Sequence, residues 1–182
     1  MKISFENVDS SRMQNLFSEV LDRFEPLHKH HIQLRQKNLD KVTMRAQPMM
    51  TSNFFFTGER SYNVDYTART KIDSALSTSE LPKEVLRGWF AHELGHIMDY
   101  QKRSWSNLLA FGATYLWSEP GRRTIERMAD MYAIKYGFKS EILATQEFIL
   151  SHVNLNESYR KQIMKYYLSP MEIASIPISR EK

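Results

Sequence analysis

Cysteine is absent from the 182 residues, so neither a disulfide framework nor a thiolate metal site can form, and any bound metal must use histidine and carboxylate ligands. A long apolar run is absent too. The longest uncharged stretch, Ser104 to Ser118, falls short of the roughly 20 residues needed to cross a bilayer. The N-terminus, MKISFENVDSSR, meets polar and acidic residues before any apolar core of a secretory signal can develop. The net charge is +4, yet Lys and Arg are scattered, with no dense block of the kind that marks nucleic-acid-binding arms. No nucleic-acid partner is expected. With no leader, no span and no cysteine, the expected compartment is the cytoplasm. What is present, 182 residues at 42% hydrophobic content, suits one domain (1–182) with a substantial core.

From Ser10 to Phe24 the apolar residues Met13, Leu16, Phe17, Val20, Leu21 and Phe24 fall on one helical stripe, with Asp9 or Ser10 as cap and Pro26 as stop. Ile32 and Leu34 then alternate with polar neighbours, as do Val42, Met44 and Ala46 after Asn38-Leu39-Asp40. This predicts two strands joined by a short turn. His28, His30 and His31 just before them suggest either a metal site or an exposed loop, and the loop is favoured because adjacent residues of an extended chain face opposite ways. Pro48 breaks the second strand, Phe54-Phe55-Phe56 supplies a buried segment, and Thr57-Gly58-Glu59 turns into a half-polar strand, Ser61 to Thr70. Its alternation suits a sheet edge beside a cleft, where an extended peptide or protein substrate could pair by backbone hydrogen bonds. A merely solvated face fits equally well.

Pro82 opens a helix with Glu84 in its first turn, and this helix carries His92-Glu93-Leu94-Gly95-His96. At 3.6 residues per turn, His92 and His96 share a face, so both imidazoles can reach one ion, while Glu93 lies about 100° round the helix, beside the ion. A carboxylate there can take a proton from water on the metal, the division of labour of a zinc hydrolase. Chance alone would produce the bare motif in roughly one or two such sequences per hundred, so the surroundings must decide. Gly95 costs about 1 kcal/mol of helix propensity relative to Ala, which close packing of a second helix would explain.

The uncharged stretch from Ser104 to Trp117 is expected to be a core helix or the apolar side of a substrate channel. A segment dipping into a membrane interface is less favoured, since no Lys or Arg marks a polar face within it. Zinc needs a third protein ligand, and the helix from Pro120 to a stop at Gly137 offers one. Glu126 and Asp130 lie four apart on a face with Ala129 and Ala133, small residues that would let this helix approach at Gly95. Glu126 is therefore the expected ligand, with Asp130 accepting a hydrogen bond from the far nitrogen of His92. Glu119 is the next candidate for the ligand role. The competing reading is a solvated acidic helix face.

Ala91-His92-Glu93-Leu94-Gly95-His96 followed by Glu126-Arg127-Met128-Ala129-Asp130-Met131-Tyr132-Ala133 resembles the gluzincin metallopeptidases. Within them it is similar to soluble relatives of the CAAX prenyl-protease group and to the compact minigluzincins. The resemblance covers roughly residues 61–137. It implies a zincin-like catalytic core, Zn2+ held by His92, His96 and Glu126, and an endopeptidase in which Glu93 activates water. The membrane-embedded members carry transmembrane helices that this chain lacks, so their substrates do not transfer. The oxyanion-stabilising residue has no clear match, and His152 (with Arg160) and Tyr159 are the candidates.

Helices are expected over Ser140 to Leu150 and Glu157 to Leu168, with Asn156 as cap, Pro170 as stop and a loose tail over 171–182. The expected fold is α+β: an N-terminal helix, a mainly antiparallel sheet of three or four strands, and helices bearing the two halves of a zinc site. The expected function is peptide hydrolysis. The alternative is a catalytically silent zinc-binding module that binds a partner.

Overall fold

The apolar stripe at Met13, Leu16, Phe17, Val20 and Leu21 is buried throughout in helix α1 (Ser11–Asp22), and the Ser10 hydroxyl caps it by accepting from the Met13 N–H. Pro26 lies in the short 3-10 turn Glu25–Leu27 that follows. The computed structural model describes residues 2–49, 60–155 and 157–177. The Phe54–Phe56 segment, the turn at 57–59 and the Asn156 cap lie outside the described residues.

Four strands, β1 (Lys2–Glu6), β2 (His31–Gln36), β3 (Met44–Pro48) and β4 (Ser61–Tyr66), form a mixed sheet in the order β1-β2-β4-β3. β1 and β4 both run parallel to β2, and only β3 runs antiparallel, against β4. The expected mainly antiparallel sheet is therefore corrected, and β1 was not anticipated. Alternation marks a strand with one buried face but does not name its partner. α1 supplies the crossover that the parallel β1–β2 pair requires. Likewise β2 and β3 form no hairpin, because β4 lies between them.

β4 is an interior strand, which corrects its expected place at the edge. Tyr62, Val64 and Tyr66 are fully buried on one face, and Asp65 is fully buried on the other. The Asp65 carboxylate accepts from Arg35 Nε of β2 at 2.7 Å and from Arg45 of β3 at 3.3 Å. The polar half of the strand is thus an internal ionic clamp across three strands, not a wetted edge. The edge role passes to β3, whose outer side has no partner among the described residues.

The three early histidines do not converge. His28 bonds the Leu21 carbonyl, His31 bonds Ser4 Oγ, and His30 is buried against Tyr62 with its ring nitrogen 3.3 Å from Gln101 Oε1. The favoured exposed-loop reading fails at His30, and the three histidines take separate partners among the described residues.

Helix α2 (Lys83–Tyr100) carries the motif and is buried continuously from Phe90 to Met98. It packs between the sheet and helices α4 (Glu119–Lys135) and α5 (Lys139–Ser151). The expected close approach is at Gly95, where a methyl group would lie 2.4 Å from the Ala129 carbonyl oxygen of α4. Gly95→Ala should therefore destabilise the fold by about 1–3 kcal/mol through overpacking, despite the propensity gained. Urea denaturation checks this, and an unchanged or higher midpoint would mean the two helices can part. Gly137, at φ +84, ends α4 as expected.

Helix α3 (Trp105–Trp117) is not a core helix. Phe111 is buried, whereas Leu116 and Trp117 are 71% and 82% exposed. Helix α6 (Glu157–Tyr166) is followed by α7 (Pro170–Ser175), which corrects both the loose tail and Pro170 as a stop. Ser169 and Glu172 form a capping box, Pro170 takes the first turn, and Ile173 is fully buried. Arg127 of α4 pairs with Glu172, and that guanidinium, with the Ser169 donors, holds the Glu172 carboxyl down at about 2. Six residues are too few to show a helical period, so only the capping box marked the helix. Residues 178–182 lie outside the described residues. The chain is α+β, and among the described residues no helix is long and apolar enough to cross a membrane.

Candidate metal centre

One turn of α2 brings His92 and His96 together with their rings 4.7 Å apart, and α4 faces them with Glu126. Glu126 Oε2 lies 3.2 Å from His92 Nε2 and 3.4 Å from His96 Nε2. Donor atoms about 2.0–2.1 Å from a tetrahedral ion stand about 3.3–3.4 Å apart, so these separations, which also suit a hydrogen-bonded ion pair, are compatible with a ligand set. All three residues are at least nine-tenths buried, and their donor atoms fall within 4.8 Å of one another, so the group could hold a metal ion.

The surroundings aim the donors. Asp130, one turn after Glu126, has Oδ1 2.7 Å from His92 Nδ1 and accepts its proton, which leaves Nε2 as the ring nitrogen that faces Glu126. The other Asp130 oxygen accepts from the Leu168 N–H, fixing the carboxylate from the far side. Tyr115 of α3 donates its hydroxyl to Glu126 Oε1 at 2.6 Å, so one carboxylate oxygen is anchored and the other is left for the ion. Three lone pairs converging on one point repel unless a cation or a proton lies between them. Burial opposes charge on these groups, but Asp130 and Glu126 hold His92 well above its ordinary value, and His92 and His96 hold Glu126 well below its own.

Asp130→Asn should lower the affinity for a divalent metal ion by about 10- to 100-fold, since the neutral amide no longer supports imidazole basicity. Competition against a chromophoric chelator measures it. Affinity equal to that of the wild type would show that Asp130 does not orient His92.

Comparison of the chain with protein-family models, with curated proteins and with solved structures finds no match.

Glu93, adjacent to His92, is buried with the cluster; burial raises its carboxyl above the usual range, against the opposing pull of His96, His92 and the nearby Ala46 backbone of β3. Thr67 N–H bonds the Thr43 carbonyl, and Met49 N–H bonds the Ser61 carbonyl. By alternation Met44, Ala46 and Pro48 then turn their backbone groups away from β4. Tyr100 accordingly reaches the Ala46 carbonyl and stacks on His96. A cavity of about 800 Å³ opens over the cluster, between β3, α2, α3, α5 and α6.

The two oxyanion candidates separate. Tyr159 lines this cavity, and burial followed by the Glu126 charge pushes its hydroxyl up to about 12, so it stays a donor. His152 does not line it. Its Nε2 lies 3.3 Å from Asp73 Oδ2, and its companion Arg160 binds the Leu150 carbonyl, so both brace the chain around α5. Glu119, the reserve ligand, is an exposed partner of Lys165 at 2.6 Å. Tyr115 and Tyr167 were missed. The Tyr167 ring lies 5.5 Å from that of His92. The signal for Tyr115 was a phenol in an uncharged, aromatic-rich helix, a polar tip that must find a partner when buried.

Proposed function

We propose that the chain is a zinc-dependent peptidase of zincin-like architecture, with His92, His96 and Glu126 as ligands and Glu93 as general base. The observation that carries this is the pair of donor separations, 3.2 and 3.4 Å, in a group with no thiolate and with Glu93 beside it. Two imidazoles and one carboxylate suit zinc, and three protein ligands leave a fourth position for chemistry. Bound there, zinc supplies a Lewis acid and lowers the pKa of water toward about 7. The likeness of His92-Glu93-Leu94-Gly95-His96 and Glu126-Arg127-Met128-Ala129-Asp130 to the gluzincin pattern supports the same reading.

The chain's own residues then divide the work. Glu93, with a carboxyl raised by burial, takes a proton from the attacking water and hands it to the leaving amine. Tyr159, protonated at neutral pH, donates to the oxygen that gains charge as the carbonyl is attacked. The outer side of β3, in place of the strand first expected, offers backbone groups at Met44 for an extended substrate. The test is cleavage of a peptide library by the zinc-loaded chain and its loss in Glu93→Gln.

A further inference from the structure

Helix α3 packs chiefly on α4, with which it forms a helical hairpin turned at Ser118. It is held from one side: Tyr115 reaches Glu126, a methyl group on Gly121 would meet Thr114, and Phe111 packs edge-on against Tyr100. The other side is bare. Asn107, Ala110, Thr114 and Trp117, three or four residues apart, are all exposed, and Leu116 stands in solvent beside Trp117 at the hairpin tip. Large apolar side chains left together in water mark a contact surface.

The charges around this face are of one sign. From Ser104 to Ser118 there is none, and basic residues close both ends: Lys102 and Arg103 before the helix, Arg122 and Arg123 after it. Arg103 and Arg122 lie over the rings of Phe111 and Tyr115 and help to hold α3 down. Lys102 and Arg123 are exposed; the Lys102 ammonium donates to the Tyr132 hydroxyl, and Arg123 has no carboxylate partner among the described residues. The acids nearest in sequence are already paired, Asp99 with Arg103 and Glu119 with Lys165.

An uncharged helix with an indole at its end and cations at both ends suits the headgroup layer of a bilayer, where apolar tips enter the acyl boundary and Lys or Arg reach phosphates. The Asn and Thr on the same face carry no charge to desolvate. A two-fold dimer through this face would instead set a basic rim against a basic rim. The patch is also continuous with the cavity over the ligand cluster, since Leu108, Phe111, Tyr115 and Leu116 line both.

We propose that α3 docks on an anionic membrane surface, with Leu116 and Trp117 inserted and Lys102 and Arg123 on lipid phosphates, so that the cavity opens toward the bilayer. The attachment is peripheral. It stands apart from the peptidase reading, and its test needs no activity.

That test is co-sedimentation of the full chain with vesicles of phosphatidylcholine alone or with about a third phosphatidylserine. Partitioning onto the anionic vesicles should be at least about tenfold stronger and should fall as salt is raised. Leu116→Ser with Trp117→Ser should weaken it about tenfold or more, and Lys102→Glu with Arg123→Glu should remove the preference for anionic lipid. All four side chains are exposed, so urea midpoints should stay near that of the wild type. Quenching of tryptophan emission by brominated acyl chains should be partly lost in Trp117→Phe. No binding to anionic vesicles, or binding that the Leu116 and Trp117 substitutions leave intact, would overturn the proposal. So would a dimer in sedimentation velocity that the same two substitutions dissolve while vesicles go unbound, because the face would then belong to a second copy of the chain.

Discussion

Replacing Glu93 by glutamine is expected to cut peptide hydrolysis by about a hundred- to ten-thousand-fold while zinc remains bound. Gln matches Glu in size, so the packing around the buried side chain is kept. What is lost is the ability to take and return a proton. Glu93 is not among the three converging donor residues, so its loss should leave metal content intact. Steady-state cleavage of a peptide library, with zinc measured in the same samples by mass spectrometry, separates the outcomes. Residual activity within a few-fold of wild type would remove Glu93 as the base. Tight zinc with no product from either protein would instead favour the non-catalytic module.

Glu126→Gln should weaken zinc binding tenfold or more. A neutral amide replaces the only carboxylate in the ligand group, and it does so where the carboxylate is fully ionised, held well below its ordinary value by His92 and His96 against the cost of burial. Tyr115 would still hold the side chain in place, so the loss would report charge and donor quality more than position. Glu119 is no substitute, since it is exposed and paired with Lys165. Chelator competition on wild type and variant gives the ratio. Unchanged affinity would mean that Glu126 is not a ligand.

Most of this centre was legible because helical spacing is a strict geometric rule. Four-residue separations placed His92 with His96 and Glu126 with Asp130, and one glycine opposite small residues indicated that the two helices touch at Gly95. The contacts from outside those helices were not legible. Tyr115 reaches Glu126 through the packing of α3 on α4, and Tyr167 approaches His92 from beyond the end of α6. His152 looked like a donor by order along the chain, yet Asp73, 79 residues away, holds it. The sheet misled for a related reason. Alternation gave the strands but not their neighbours, so β4 was set at an edge although Asp65 binds arginines on both sides of it.

The claim on which everything else depends is that residues 34 apart along the chain, His92 and Glu126, share one ion with His96. Anomalous diffraction at the zinc edge, from crystals of the zinc-loaded full chain, tests it most directly. The expected result is one peak about 2.0–2.2 Å from Nε2 of His92, Nε2 of His96 and one Glu126 oxygen, with Asp130 and Glu93 outside that distance. A peak that lacks any of these three contacts, or one centred on other residues, would contradict the account.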